Sequence, residues 1–282
     1  MTMIALASTS RPDTIQAHRR AVDRVIHAMY QNLAREFSLK DMASVALISP
    51  YHFNRVFHQV AGMPPCQFLS ALRLWQAKRL LVTTQLKVTD ICFEVGYNSL
   101  GTFTRRFTDL VGVPPQRLRA LARSGGIEPL LRGLGSGLAA VDQVGPNSLH
   151  GKVKAPEGFR GPVFLGLFAS PLPQGRPLAC TVLAQPGPFQ ISYLPDGTFH
   201  LFAAAVDPEA QDAAELLLLE RALRGTLRRA VKVRNGVAAA PVEVTLRPPE
   251  PIDPPILLTF PLLLAERLAS PPLAGACSTA VH

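Results

Sequence analysis

The sequence predicts an all-α segment made of two similar halves, followed by a mainly-β sandwich with one inserted helix. Three observations predict it. Prolines are sparse before Gly145, seven of twenty-six, and the other nineteen are interleaved downstream with short β-branched and aromatic runs. The chain matches itself at an offset of 50 residues, SPYHFNRVFHQVAGMPP from Ser49 against SLGTFTRRFTDLVGVPP from Ser99, sharing Ser, Phe, Arg, Phe, Gly and Pro-Pro. Between the two regions, residues 124–148 are rich in Gly and Ser, as a linker would be.

From the N-terminus, residues 1–15 read as a flexible arm, 16–123 as the helical domain, 124–148 as the linker, 149–270 as the β domain and 271–282 as a flexible tail. Ser38-Leu-Lys-Asp41 has the form of a capping box ahead of Met42 and Ala43. Ser49 stands at a helix N-cap, its hydroxyl placed to accept from an early backbone N–H, with Pro50 at the favoured first helical position. Phe53, Val56, Phe57 and Val60 then recur at i, i+3, i+4 and i+7, which leaves Tyr51, His52, Asn54, Arg55, His58 and Gln59 on the opposite face. Pro65–Thr83 reads as one long helix with Phe68, Leu69, Leu72 and Trp75 on its apolar side. Val88-Thr-Asp-Ile91, followed by Cys92 and Val95, repeats the short leading helix. A second helix from Ser99 buries Phe103, Phe107, Leu110 and Val111 and turns Gly101, Thr102, Thr104, Arg105 and Thr108 outward. Helix, tight turn, helix is written twice, so the α segment is a tandem helix-turn-helix domain.

The net charge of +9 sits in this segment: residues 16–123 hold fifteen Lys/Arg against six Asp/Glu, and the remainder holds fourteen of each. A confined basic excess is the footprint of a domain that meets a polyanion, although charge alone does not separate DNA from ribosomal or membrane surfaces. The helices make that distinction. In a helix-turn-helix unit the second helix lies in the major groove with its N-terminal residues at base edges. Arg55 and Arg105, at the same place in both copies, suit guanine; Asn54 suits adenine; Thr104 suits a thymine methyl or a phosphate. Lys78, Arg79, Arg117 and Arg119 are either solvated charges or phosphate contacts, and His52 and His58 lack the spacing of metal ligands.

The pieces SLKDMASVA, SPYHFNRVFHQVAG with its Pro-Pro, RLWQAKRLL, VTDICFEVGYNS and FTRRFTDLVGVPPQRLR stand in the order and spacing of the AraC/XylS family, whose DNA-binding domain this segment resembles over roughly a hundred residues. The resemblance implies two units joined by a central helix, entering successive major-groove segments of one double-stranded promoter or operator site. Tyr51, Asn54 and Arg55, and Leu100, Gly101, Thr104 and Arg105, then occupy base-facing places, flanked by His52, His58 and Arg106. Leu100 and Gly101 depart from the polar residues often found there, which shifts that helix toward phosphate and apolar contacts. RNA polymerase is a further partner if the regulator activates.

Downstream, the expected strands are Val163–Ala169, Ala179–Gln185, Phe189–Leu194 and Thr198–Ala205, with a tight turn at Pro195-Asp-Gly197 and a helix over Ala210–Arg224. Val231–Arg234, Asn235-Gly236 and Val242–Leu246 read as a closing hairpin. The pattern resembles transthyretin-like or carboxypeptidase-regulatory-like sandwiches. Asp196 and His200 have no nucleophile or metal partner at a recognisable spacing, so no enzyme is expected, and no cofactor or metal. Such a fold leaves small-molecule effector binding and homodimer assembly as the open tasks. The scattered Cys66, Cys92, Cys180 and Cys277 argue against a zinc ribbon or disulfide framework, and the apolar runs fall short of the roughly 20 residues of a membrane span. A cytoplasmic protein with no membrane partner is expected.

Overall fold

The computed structural model describes residues 12–123 and 148–259, apart from 193, 208–212, 228, 236 and 239; most of the expected linker, and all of the expected tail, lie outside them. The helical part runs α1 (Pro12–Gln31), α2 (Leu39–Ala46), α3 (Pro50–Ala61), α4 (Pro65–Thr83), α5 (Val88–Glu94), α6 (Leu100–Val111) and α7 (Pro115–Arg123). Helix α1 begins at Pro12, so residues 12–15 are helical rather than part of a flexible arm: proline costs nothing in a first turn, where its missing N–H would have no partner.

The two halves are punctuated alike. Helices α3 and α6 both stop at a left-handed glycine, Gly62 (φ 76°) and Gly112 (φ 92°), whose N–H groups donate to His58 O and Thr108 O, each at 2.9 Å. One buried residue later, Met63 or Val113, a Pro-Pro pair starts α4 or α7 with a proline in the first turn. The N-caps differ. Ser99 Oγ accepts from Thr102 N at 3.4 Å, whereas Ser49 makes no side-chain cap, contrary to the sequence expectation; Pro50 removes one N–H, and the Ser49 carbonyl accepts from Phe53 N at 2.8 Å. Helix α2 carries a full capping box: Asp41 Oδ2 accepts from Ser38 N at 2.9 Å, and Asp41 N donates to Ser38 Oγ at 3.3 Å. The Ser38 hydroxyl, then its amide, hold the Asp41 carboxyl below the usual carboxylate range.

The β part contains β1 (Leu149–Lys154), β2 (Val163–Phe168), β3 (Ala179–Leu183), β4 (Pro188–Ile191), β5 (Gly197–Ala205), α8 (Ala213–Leu218), β6 (Leu223–Thr226), β7 (Val231–Arg234), β8 (Val237–Ala238) and β9 (Val242–Thr245). One sheet has the order β4-β1-β9; the other follows β3-β2-β5-β7-β8, with β6 also paired to β5. The expected closing hairpin is not formed. Strand β7 turns back at Asn235 (φ 51°) onto β8, and β9 crosses to the other sheet, parallel to β1. The inserted helix is shorter than its apolar run, because Leu223–Thr226 pairs with β5 instead.

Strand β2, VFLGLF, is buried on both faces, which explains its unbroken apolar run. Val163, Leu165 and Leu167 join Leu201, Ala203 and Ala205 of β5 in a cluster shared with Leu149, Val153, Ile191 and Val244 of the smaller sheet. Phe164, Phe168, Phe202 and Ala204 face the other way, into a cluster continuous with the helices. The larger sheet is therefore the middle layer, between the smaller sheet and the helical domain.

The final described residues, 250–259, strap the two parts together. Arg19 of α1 pairs with Glu250 at 2.6 Å. Lys78 of α4 is completely buried, donating to Leu258 O at 2.8 Å and Ile256 O at 3.5 Å. Thr259 Oγ1 donates to Val111 O at 3.0 Å, and Gly175 N to Leu110 O at 2.8 Å. Lys78 is thus removed from the phosphate-contact set: the strap covers it.

Two left-handed backbone positions and that lysine each bear on stability. At Gly96 (φ 82°) a Cβ would overlap the Leu33 carbonyl oxygen, so Gly96→Ala should lower stability in urea by about 1–3 kcal/mol from the left-handed backbone alone, with more from the overlap. Leu47, also left-handed (φ 61°) but 81% exposed, should respond oppositely, Leu47→Gly being neutral or stabilising by up to about 1 kcal/mol. Burial, with Arg224 close by, depresses the Lys78 pKa from 10.5 to about 7. Between those values the unfolded chain holds a proton that the folded one does not, so stability should rise with pH by up to roughly 1.4 kcal/mol per unit. Lys78→Met should flatten that slope in thermal melts taken from pH 7 to 10; an unchanged slope would refute the assignment.

Candidate nucleic-acid interface

Each candidate recognition helix is held from beneath by aromatic rings. Under α3, Phe53 and Phe57 meet edge-to-face at 5.6 Å, and Phe57 meets Phe68 of α4 at 5.5 Å. Under α6, Phe103 and Phe107 lie 5.6 Å apart and Tyr97 packs on Phe103 at 5.4 Å. The shared i, i+4 phenylalanines are fully buried, which fixes the rotation of each helix about its axis and hence the residues it presents.

On α3 those residues are Tyr51, Asn54, Arg55 and His58, all exposed, Tyr51 at 85%. His52 is only half exposed, its ring meeting His18 of α1 edge-on at 5.7 Å. The exposed apolar Leu47 lies in the preceding turn. This surface carries donors, acceptors and one guanidinium, and no acid between Pro50 and Ala61.

On α6, Leu100, Gly101, Arg105 and Arg106 are exposed and Thr104 is half exposed. Arg105 lies 3.9 Å from Asp109, a loose, solvated pair that leaves its guanidinium available. A Cβ on Gly101 would meet only Ser99 Oγ at 3.8 Å, so this glycine is not forced by crowding and its surface is open backbone. Arg106 is exposed at the position that buried Val56 holds in the first copy, so it lies at the edge of the outward face.

The flanking cations divide. Arg79 is exposed, lies over Trp75 at 5.9 Å and donates to Gln76 Oε1 at 3.1 Å. Arg117 is exposed. Arg119 is half-buried, with Nε donating to Leu81 O at 3.4 Å; its Nη2 is enclosed with no partner among the described residues, and burial lowers its pKa. It ties α7 to α4 where the sequence offered it as a phosphate contact. What sequence reasoning missed is α1, which packs on α2 and α3 and supplies His18 and the Arg19–Glu250 pair. Its buried Val22, Val25, Ile26 and Met29 at helical spacing were the available signal. Among the described residues no group of His, Cys, Asp and Glu could hold a metal ion, and no helix is long and apolar enough to cross a membrane.

The helical part is similar to known proteins. A family model described as a helix-turn-helix domain matches residues 42–121. The HTH-type transcriptional activator AarP of Providencia stuartii is 30% identical over 112 residues, 40% of this chain and 82% of AarP. The uncharacterized HTH-type transcriptional regulator YobQ of Bacillus subtilis is 29% identical over 107 residues, 38% of this chain and 43% of YobQ, so the match spans less than half of that relative's length. Among solved structures, the DNA-binding domain of AdpA in complex with a target DNA is 28% identical, covering 37% of this chain and 95% of that one with a TM-score of 0.36. An AraC-type regulator from Chromobacterium violaceum is 23% identical, covering 39% and 97%, with a TM-score of 0.37. The chain belongs to the AraC family of helix-turn-helix, DNA-binding transcription regulators.

Proposed function

We propose that the protein is a sequence-specific regulator that places α3 and α6 in successive major-groove segments of one duplex site, with the two helices unequally equipped. The observation that carries the reading is the outward face of α3: Asn54 and Arg55 stand exposed on a helix whose rotation is fixed by buried phenylalanines. A bidentate Arg–guanine or Asn–adenine contact discriminates by about 1–3 kcal/mol, and both need that fixed rotation. Helix α6 offers Arg105 beside Leu100 and the open backbone of Gly101, which favours phosphate approach and apolar contact over base reading. Arg79 and Arg117 remain as flanking phosphate candidates.

The β part, in this reading, is a two-sheet sandwich of the transthyretin-like kind that regulates the helical domain it covers, by taking a small effector or by pairing two copies. Its strap and larger sheet meet α1, α4 and α6, whereas Tyr51, Asn54, Arg55, Leu100, Gly101 and Arg105 stay exposed with it in place. A ligand there would act by altering how the helices are held, not by uncovering them. A second reading, mainly non-specific DNA binding, draws on the confined basic charge.

In-vitro selection of bound duplex by the full chain should return two unequal blocks of preferred bases. Arg55→Ala should then weaken binding to the selected site about 5- to 150-fold while changing binding to random duplex much less. Equal losses on both duplexes would remove Arg55 from base reading and favour the non-specific alternative. Arg117→Ala should weaken both about equally and reduce the salt dependence of binding.

A further inference from the structure

The middle sheet turns a polar patch toward the seam between the two parts. Strand pairing sets Arg224 opposite Ala204 and Thr226 opposite Phe202, so these four side chains share the face that looks at the helices. Arg247, bridged to Arg224 through both backbone hydrogen bonds, and Thr245 extend it. The strap, through Asp253, Pro254 and Ile256, roofs this patch and leaves a cavity of about 110 Å³, walled on its apolar side by Phe202 and Pro173.

The charges in this cavity are not balanced one for one. Asp253 takes both Arg247 Nη1 at 2.8 Å and Nη2 at 2.6 Å, and accepts from Glu250 N at 2.7 Å, so its two oxygens are occupied. Arg224 spends Nη1 on the Pro254 carbonyl at 2.9 Å, but its Nε is enclosed with no hydrogen-bond partner among the described residues. Arg224 also helps burial hold the pKa of Lys78 down, so the seam already carries more positive charge than it can pair. An enclosed guanidinium N–H left unpaired is costly, and a guanidinium lining a cavity offers paired donors that match the two oxygens of a carboxylate.

We propose that this cavity is a binding site for a small organic carboxylate with a compact apolar tail, the carboxylate paired with the Arg224 guanidinium that lines it and the tail against Phe202 and Pro173. The site's size admits an acid of a few carbons. Its roof is the strap that continues into the Lys78 and Thr259 contacts, so an occupant would brace the seam. A larger hollow of about 280 Å³ by Asp207, Glu215 and Arg221 carries two carboxylates to one guanidinium and does not favour an anion. The proposal gives a ligand class to the regulatory reading of the β part, and it is tested without DNA, so its failure would leave the DNA-binding reading untouched.

The test is titration of the full-length chain with isobutyrate and with its neutral isostere isobutyramide, read by calorimetry and by melting temperature at ionic strength matched with sodium chloride. Isobutyrate should bind saturably and raise the melting temperature, with the amide about tenfold weaker or more. Arg224→Met should weaken isobutyrate binding by at least the same factor. Thr226→Phe, at an exposed position on the rim, should block it while leaving the unliganded melting temperature unchanged, which covers the case in which Arg224→Met fails to fold. Equal binding of acid and amide, an equal response to sodium chloride alone, or a Thr226→Phe chain that binds isobutyrate like the parent would overturn the proposal.

Discussion

An α-helix ends with carbonyl groups that have no partner within it, and in α6 two of them are paired by the other half of the chain. Leu110 O accepts from Gly175 N and Val111 O from Thr259 Oγ1. The helix end that those bonds fix belongs to the second candidate reader, and the strap that supplies one of them also buries Lys78 of the central helix. Orientation of the second reader thus depends on the seam. Helix α3, in contrast, is held within its own half, by α1, α2 and α4.

This coupling explains why the seam can carry costly groups. Among the described residues Lys78 pairs only with carbonyls there, and Arg224 keeps an enclosed N–H without a partner. Neither arrangement favours stability by itself, since a buried lysine that meets only carbonyls among the described residues and an enclosed N–H without a partner both work against the fold. Each makes the seam conditional, on proton activity through Lys78 and on a bound anion through Arg224. A seam built only from apolar residues, such as Ile256 and Leu257 against the helices, would have been tighter and less responsive.

The helical half was almost wholly legible because local signals agree there. The bounds of α4 follow from Pro65 and the apolar period; the stops of α3 and α6 follow from Gly62 and Gly112; and the outward faces follow from the phenylalanine pairs. The β half was legible where a strand is buried on both sides, as in β2, and failed where pairing is non-local. Val242–Thr245 follows β7 and β8 closely in sequence yet pairs with β1, about ninety residues upstream, a choice that no local alternation records. The seam was invisible for the same reason. Lys78 and Arg119 look like surface cations on their helices, and only residues some 180 and 38 positions away in sequence show what they bond.

Part of the basic charge of the helical domain is not on its surface. The excess of the helical domain includes Lys78, which is buried, Arg119, which is spent on Leu81 O, and Arg73, whose Nη2 donates to Arg35 O at 2.7 Å. The other twelve cations of residues 16–123 are exposed, Arg55, Arg79, Arg105, Arg106 and Arg117 among them. With Lys78 buried and Arg73 and Arg119 bound to backbone carbonyls, the charge offered to phosphate is smaller than the net charge, and selectivity rests on the side chains aimed at bases. Asn54 and Arg55 on α3 are the pair best suited to that task. The α6 end of the domain, anchored to the β part and presenting Gly101 and Leu100, is suited to setting how far along the duplex the second contact falls.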